Sequence, residues 1–413
     1  MKSFLAIGAF TVSAASVFAA STDGGKAPTF SKEVAPILYN RCVSCHRPGE
    51  AAPMALRDYK EVRPWAKAIR QHVATHTMPP WHADPAIDKF SNDRRLTDAE
   101  VATIVKWVDA GAPEGNSADL PKLPEFTEGW AFGKPDMVLD TGTDYPIPAQ
   151  GVVAYQYFKV DPGFKEDTWI QAAEARPSQR SQVHHILVFV QQGKTRAVRG
   201  GEQFSDMLIG YAPGVPTITW DPDTAFLVKA GSTLLFQVHY TTNGKAASDR
   251  SLLGLKIRKD APKYRALSGS AIQFRFAIPP NDANYEVKAT YSFREDVTLL
   301  DLTPHMHLRG KAFKYVLTYP DGRSEELLNV PKYDFNWQLS YILAEPRKVP
   351  AGSRMDVTAW YDNSPNNKYN PNPADTVKWG DQTFQEMMIG FFNYKVPVDQ
   401  ADPTPVKASA RAE

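Results

Sequence analysis

The feature that most constrains this 413-residue chain is its cysteine content, which amounts to two residues in one short motif. Cys42 and Cys45 stand three positions apart in RCVSCHRPG, and His46 follows directly. Two cysteines in one motif cannot build a disulfide framework, so each folded unit needs its own hydrophobic core. The C-x-x-C-H spacing is typical of covalent c-type haem attachment, with both thiols bonded to the haem and His46 bound to its iron. A redox-active disulfide is the alternative interpretation.

The N-terminal segment 1–19 has a lysine, an apolar run and then small residues, which is typical of a secretory signal peptide. Val17 and Ala19 place the expected cleavage after Ala19. The apolar run is shorter than the ~20 residues that span a bilayer, although a single membrane anchor is the alternative. The sequence therefore predicts a periplasmic or secreted protein without a membrane span after signal removal. The formal net charge of +1 gives no indication of a nucleic-acid partner.

Helical periodicity surrounds the C-x-x-C-H motif. Val34 and Leu38 lie on one apolar stripe before it. A second helix is expected from Pro64, since proline suits the first turn of a helix. A third is expected where Thr97 and Glu100 form a capping box. These patterns predict a small helical unit.

Residues 27–113 resemble a small class I cytochrome c. The resemblance implies an all-α domain in which a loop of the M-P-P type supplies the sixth iron ligand, here Met78. A His/Met ligand pair raises the haem potential, which suits electron transfer. The other candidates for this ligand are Met54, His72, His76 and His82.

The remainder of the chain differs from the helical unit in its residue pattern. Segment 114–130 is rich in proline, glycine and polar residues and reads as a linker. Beyond it, runs of β-branched and aromatic residues alternate with turn signals such as TYPDGR and TTNGK. These runs predict two all-β, jelly-roll-like sandwiches at 131–265 and 266–398, with a boundary near 262–272. The polar tail 399–413 is expected to be disordered.

Five of the nine histidines fall in three strand-like runs of this β region. Taken singly, a strand histidine is more often structural than metal-binding, so the set carries the inference. In a strand, His305 and His307 share one face, and Met306 points to the other face and into a core. His184 and His185 would point to opposite faces, so a shared metal requires a β-bulge. The fifth member of the set is His239.

Four runs, VHHILVF, QVHY, PHMHLRG and WGDQTFQEMMIGFFNY, resemble in type and order the copper type II, ascorbate-dependent monooxygenases. That family includes peptidylglycine α-hydroxylating and dopamine β-monooxygenase, and the resemblance covers about residues 135–398. It implies two copper ions, one in each sandwich. The electron-transferring copper would be held by His184, His185 and His239. The oxygen-binding copper would be held by His305, His307 and Met387.

The resemblance implies hydroxylation of a C–H bond of a small organic substrate by O2, with electrons from an ascorbate-like reductant or a redox protein. The haem is expected to relay them. A thioether beside imidazoles favours copper, especially Cu(I), over zinc, which argues against a zinc hydrolase. The neighbouring Met388 is an alternative to Met387, and Gln237 matches a glutamine of the peptide-hydroxylating members. The alternative function is copper binding or electron transfer without hydroxylase activity.

The chain also departs from the peptide-acting members of that family. They carry an arginine two residues before the H-x-H pair and a tyrosine four residues after the methionine. Here these positions hold Thr303 and Phe391, so a peptide-amide precursor is not the expected substrate. Arg309 is expected to be a surface charge.

Overall fold

The computed structural model describes residues 26–50, 52–87, 89–126, 129–192, 207–212 and 217–400. The predicted signal peptide lies outside the described residues, as does the predicted disordered tail apart from its first two residues. Among the residues in these ranges, no helix combines the length and the apolar character that crossing a membrane requires.

The described helices precede the sheets in the chain. They are α1 (Ala35–Arg41), α2 (Tyr59–Val62), α3 (Ala66–Ala74) and α4 (Asp98–Asp109), with a π-helical turn at Phe30–Val34 and 3-10 turns at Arg63–Trp65 and Ser117–Asp119. The capping box predicted for α4 is confirmed, because Thr97 and Glu100 each accept a hydrogen bond from the other's backbone N–H. Leu38, Ile104 and Trp107 are fully buried where the helices meet.

The prediction of an all-α cytochrome c domain is wrong, because the described chain is predominantly β and its helices are only 4 to 12 residues long. Residues 80–87 and 89–95, here named the strap, leave the helices and pack on the C-terminal sheets. Trp81 and Phe90 are buried there, with ring centroids 4.9 and 5.5 Å from that of Tyr341. The aromatic residues of the strap are not spaced as on one face of a helix. They are buried against residues of the β region instead.

The described strands follow in chain order from residue 137. They are β1 (Met137–Asp140), β2 (Tyr145–Ile147), β3 (Gln156–Val160), β4 (Thr168–Arg176), β5 (Val183–Gln191), β6 (Met207–Tyr211), β7 (Ile218–Thr219), β8 (Thr224–Val228), β9 (Thr233–Tyr240), β10 (Ala247–Asp249), β11 (Leu252–Arg258), β12 (Tyr264–Ile272), β13 (Ala277–Ile278), β14 (Tyr285–Ser292), β15 (Val297–His305), β16 (Gly310–Thr318), β17 (Ser324–Val330), β18 (Tyr341–Val349), β19 (Arg354–Tyr361), β20 (Val377–Lys378) and β21 (Ile389–Pro397).

The largest sheet is shared by both halves of the β region. Its order is β1-β11-β4-β8-β12-β21-β15-β18, with β7 on β4, and the β8–β12 pair is parallel. A four-stranded sheet, β3-β9-β5-β6, covers the first half over one apolar core. A second, β14-β19-β16-β17, covers the second half over another. Both halves are therefore β-rich and two-layered, consistent with the predicted sandwiches. The predicted boundary at 262–272 falls on β12, the strand that joins them.

Strand alternation sends one face of β5 away from its own core. Ile186, Val188 and Val190 fill the core of the first half, whereas Phe189 points to the other side. There it meets side chains of the second half in a small apolar group, here named the interface cluster. Its buried members are Phe189, Met207, Met387, Ile389 and Phe391. Residues that share a face with these side chains therefore lie between the two halves.

Asp301 on β15 should make stability depend on pH. Burial raises the pKa of its carboxyl group to about 6, although the Asn393 amide donates to both carboxylate oxygens at 3.0 Å. The folded state then holds a proton that the unfolded state releases near its ordinary pKa of about 3.9, so stability falls as pH rises between the two values. Relative to the unsubstituted protein, Asp301→Asn should gain up to about 3 kcal/mol of unfolding free energy between pH ~4 and ~7. Urea unfolding of both proteins at the two pH values measures this change, and a constant difference would contradict it.

Candidate metal centre

His184, His185 and His239 come together on the adjacent strands β5 and β9. The ladder pairs Val183 with Tyr240 and then His185 with His239, with an irregularity between the two pairs. His184 is thus the extra residue of a bulge, which confirms the bulge that a shared metal required. One donor atom from each of the three histidines lies within 4.8 Å of the other two.

These three side chains are buried, and part of their hydrogen-bonding capacity is unused. The Nε2 atoms of His184 and His185 and the Nδ1 atom of His239 are buried without a partner. The Nδ1 atoms of His184 and His185 lie 3.2 Å apart. Buried polar nitrogens are normally paired, and leaving one unpaired costs about 1–3 kcal/mol. A cation that accepts these lone pairs fits the arrangement.

All three imidazoles are neutral at pH 7. Burial lowers the pKa of His184 to about 4 and that of His239 to about 2, and it holds the pKa of His185 well below its ordinary value. Mutual proximity adds to this effect, because a charge on one ring disfavours a charge on the next. Neutral imidazole is the form that binds a metal, so the cluster is ready for one without losing protons.

His305 and His307 form a second set at the end of β15, with ring centroids 5.3 Å apart. The Nδ1 atom of His305 lies 2.6 Å from Gln338 Oε1, and that of His307 lies 3.2 Å from the Gln385 carbonyl oxygen. Both partners are acceptors, so Nδ1 carries the proton in each ring and Nε2 offers the lone pair. The Tyr155 hydroxyl lies 3.4 Å from the Nε2 atom of His307. Burial lowers the pKa of His305 to about 4 and that of His307 well below its usual value.

Strand pairing distinguishes Met387 from Met388. His305 is opposite Ile389 in the antiparallel β15–β21 pair, so continuing the register would place Met387 opposite His307. Met387 belongs to the interface cluster, on the histidine face. Met388 is buried with Met306 in the core of the second half, which confirms the core position expected for Met306. The register thus puts Met387, and not Met388, on the strand face that carries His305 and His307.

Exchanging each methionine for leucine should separate the two roles. Leucine has a similar volume, so either exchange should cost less than about 1.5 kcal/mol of stability. Met387→Leu removes the only thioether on the histidine face among residues 385–392, and it should weaken Cu(I) binding at His305 and His307 about tenfold or more. Competition with a coloured Cu(I) chelator measures the affinity. Met388→Leu is the matched control, and equal weakening by both would refute the assignment.

Glu386 is a residue of this site that the sequence reasoning did not single out. Its buried carboxylate accepts the backbone N–H groups of His307 at 2.8 Å and Arg309 at 2.7 Å. The expectation that Arg309 is a surface charge is wrong: the residue is 1% exposed and donates to Asn363 and to the Phe384 carbonyl oxygen. The available signal was position, because Glu386 directly precedes Met387 in QEMM.

The C-x-x-C-H motif forms a turn at the end of α1. The backbone N–H groups of Cys45 and His46 both donate to the Cys42 carbonyl oxygen, at 3.1 and 2.9 Å. His46 Nδ1 lies 3.3 Å from the Met54 carbonyl oxygen, which leaves Nε2 free to bind iron. Burial lowers the pKa of His46 and raises that of the Cys42 thiol to about 12. The motif therefore offers one neutral imidazole beside two thiols.

The candidates for the sixth haem ligand differ in burial and in the residues that they contact. Met54 packs against the helical core, while Met78 is half-buried where α3 gives way to the strap. His72 and His76 are exposed, and His72 Nδ1 lies 2.9 Å from Thr77 Oγ1. His82 lies on the strap, with its Nε2 buried and unpartnered.

The segment that follows the C-x-x-C-H motif contacts the first half of the β region through one carboxylate. Glu50 pairs with Arg47 at 2.9 Å and with Arg180 at 2.6 Å. Arg180 stands four residues before His184, in the turn that leads into β5. The segment after the C-x-x-C-H motif is thus fixed beside the strand that carries the first histidine set.

No model of a known protein family matches the chain, and no curated protein matches it. Solved structures with some likeness include PNGF-II, at 9% identity over 65% of this chain and 66% of that chain, with a TM-score of 0.29. The infectious bursal disease virus VP2 subviral particle is 9% identical over 64% of this chain and 73% of that chain, with a TM-score of 0.19. The bacteriophage PM2 major capsid protein P2 is 10% identical over 64% of this chain and 99% of that chain, with a TM-score of 0.25. The alignment spans just under two thirds of the PNGF-II chain. At these TM-scores the likeness carries no argument about function.

Proposed function

We propose that the protein is an exported copper- and haem-dependent monooxygenase that hydroxylates a C–H bond of a small organic substrate. The observation that carries the proposal is the buried cluster of His184, His185 and His239, with donor atoms within 4.8 Å of one another and three unpartnered nitrogens. Neutral imidazoles suit copper, and the thioether of Met387 beside the second histidine pair favours Cu(I). Zinc gains nothing from a thioether, so the combined donor set argues for redox chemistry.

The proposed reaction converts substrate, O2, two electrons and two protons into an alcohol and water. Copper at the two donor sets would supply the one-electron redox steps and the O2 activation that this reaction needs. The chain keeps the imidazoles neutral by burying them, and Gln338 and the Gln385 carbonyl orient the rings of His305 and His307. Because these rings are buried, bulk water has little access to the reacting atoms.

The proposal also assigns a covalent haem to Cys42, Cys45 and His46. The hydrogen bond from His46 Nδ1 to the Met54 carbonyl supports it, since this bond leaves Nε2 for the iron. The Met54 carbonyl is engaged by His46 Nδ1, and Met78 would supply the second protein ligand of the iron.

The haem would pass electrons to the first histidine set, either from a redox protein or from an ascorbate-like reductant. The contact between Glu50 and Arg180 supports this direction, because it holds the haem-binding segment beside the start of β5. If reduced haem stayed reduced while copper was reoxidised by O2 during turnover, the relay would be refuted. Rapid mixing with optical detection of the haem makes this measurement.

Isotopically labelled O2 tests the monooxygenase proposal directly. Protein matured with haem and loaded with Cu(II) is reduced and given a panel of small organic compounds with activated C–H bonds. The expected product is an alcohol with one labelled oxygen atom, detected by mass spectrometry and absent with His305→Ala. Bound copper that cycles between its oxidation states without yielding product from any compound would favour the electron-transfer alternative. A chain that binds no copper would contradict both functions.

A further inference from the structure

The β17–β18 loop, residues 331–340, carries side chains that contact a histidine of each set. Phe335 stacks on His184, with ring centroids 4.4 Å apart and an interplanar angle of 14°. Gln338 Oε1 lies 2.6 Å from His305 Nδ1 and orients that ring. Both Phe335 and Gln338 are buried. The position of this one loop therefore affects a ring in each donor set.

Hydrogen bonds attach the loop to the chain on both sides of His305. The Tyr333 hydroxyl donates to the Met306 carbonyl oxygen at 2.8 Å and accepts from the Met306 backbone N–H at 3.1 Å. Near the other end of the loop, the Thr303 hydroxyl donates to Ser340 Oγ at 2.8 Å. A displacement of either part of the loop would therefore displace residues beside His305.

The strap forms hydrogen bonds at the C-terminal end of this loop. Asn92 Nδ2 donates to the Ser340 carbonyl oxygen at 2.8 Å, and Asn92 Oδ1 accepts from the Ile342 backbone N–H at 3.0 Å. The Ser91 backbone N–H donates to the Ile342 carbonyl oxygen at 2.9 Å. The Asn92 amide uses its donor and its acceptor on two nearby backbone groups, so it fixes both where the loop ends and how β18 begins.

Backbone hydrogen bonds also attach the strap to the strands on either side of the loop. The Asp84 N–H donates to the Asn329 carbonyl oxygen on β17 at 2.8 Å. The Ala344 N–H on β18 donates to the Lys89 carbonyl oxygen at 2.9 Å. The strap thus crosses the base of the β17–β18 loop and holds its two ends together.

We propose that the strap is a positioning element of the metal centre, and that Asn92 is the positioning residue through which it acts on His305. Asn92 holds Ser340, and with it Gln338, so that the Gln338 amide oxygen keeps the His305 proton on Nδ1 and leaves the Nε2 lone pair for a metal. The strap begins two residues after Met78, so a segment of the N-terminal third completes a site in the β region. The proposal rests on the proposed function only in that His305 binds copper.

Nuclear magnetic resonance with nitrogen-15 in the histidine rings tests the proposal on the full chain with reduced haem, before copper is added. Asn92→Ala should shift His305 from the Nδ1-protonated form toward a mixture of both forms, because its bond to Gln338 loosens. Gln338→Ala removes the acceptor itself and should give the full shift. His307 is the internal control, since the Gln385 carbonyl holds its Nδ1 from a different segment. An unchanged His305 in Asn92→Ala, or an equal shift of both rings, would overturn the inference.

Cu(I) affinity then measures the consequence for the second histidine set. Asn92→Ala should weaken binding there about tenfold, as expected when the support of a ligand is lost. Ser91→Ala is the matched control on the strap, because Ser91 is exposed and its hydroxyl lies 3.5 Å from the Ile342 carbonyl oxygen. Equal weakening by both variants would overturn the role of Asn92. If the unsubstituted protein bound no copper, the proposed function would fall, while the proton position on His305 would still decide whether the strap positions this ring.

Discussion

His239→Ala should reduce the copper content of the protein from two ions per chain to one. The substitution leaves His184 and His185 as two neighbouring imidazoles without the third donor on β9, directly opposite His185. Two ligands do not complete a stable site, so this copper should be lost on dialysis against a weak chelator. The set of His305, His307 and Met387 uses donors from other strands and should keep its ion. Metal analysis by plasma mass spectrometry, normalised to haem, gives the count.

His72→Ala is the matched control, because His72 is exposed on α3 and belongs to neither donor set. It should retain two copper ions per haem. A His239→Ala protein that is folded and still binds two ions would show that the three-histidine cluster is not a copper site. Circular dichroism of both variants separates loss of metal from loss of fold.

Glu386→Ala should lower the free energy of unfolding by about 2–5 kcal/mol, because it leaves two buried backbone N–H groups, those of His307 and Arg309, without their acceptor. Burial raises the pKa of Glu386 to about 8, while Arg309 and these hydrogen bonds act to keep the carboxylate charged. Urea unfolding at pH ~7 measures the loss.

Glu345→Ala provides the comparison for this second prediction. Glu345 is exposed on β18, so its removal should change the unfolding free energy by less than about 0.5 kcal/mol. Glu386→Gln should fall between the two, since its amide oxygen can replace only one of the two acceptors. An effect of Glu386→Ala as small as that of Glu345→Ala would mean that the carboxylate does not hold the turn after β15.

Local patterns in the sequence predicted the parts of the site that depend on strand periodicity. The alternation of His305, Met306 and His307 gave their faces, and the adjacency of His184 and His185 required a bulge that β5 contains. The same two-residue period resolves Met387 from Met388, once the pairing with β15 is known. The first two inferences use only neighbours along one strand, whereas the third also needs the register between two strands.

The remaining features depend on contacts between distant segments, for which periodicity carries no information. The apolar spacings near Val34 and in α4 correctly predicted helices. They also suggested an all-α domain, because helical spacing does not show that the strap packs on the β region. Arg309 reads as a surface charge unless its partners Asn363 and Glu386 are known to converge on it. Tyr155 and Phe335 lie in no motif, yet their rings lie 4.7 Å from His239 and 4.4 Å from His184 respectively, through the packing of the two halves.

The strap also has a consequence for the order in which the protein matures. Its backbone and side chains form hydrogen bonds with residues 329–344. The Ser91–Ile342 hydrogen bond spans 251 positions of the chain. Contacts of such high sequence separation form late in folding. The strap therefore cannot dock until residues 329–344 have been synthesised. The core where Leu38, Ile104 and Trp107 meet uses contacts close in sequence, so the helices can pack before the strap is in place.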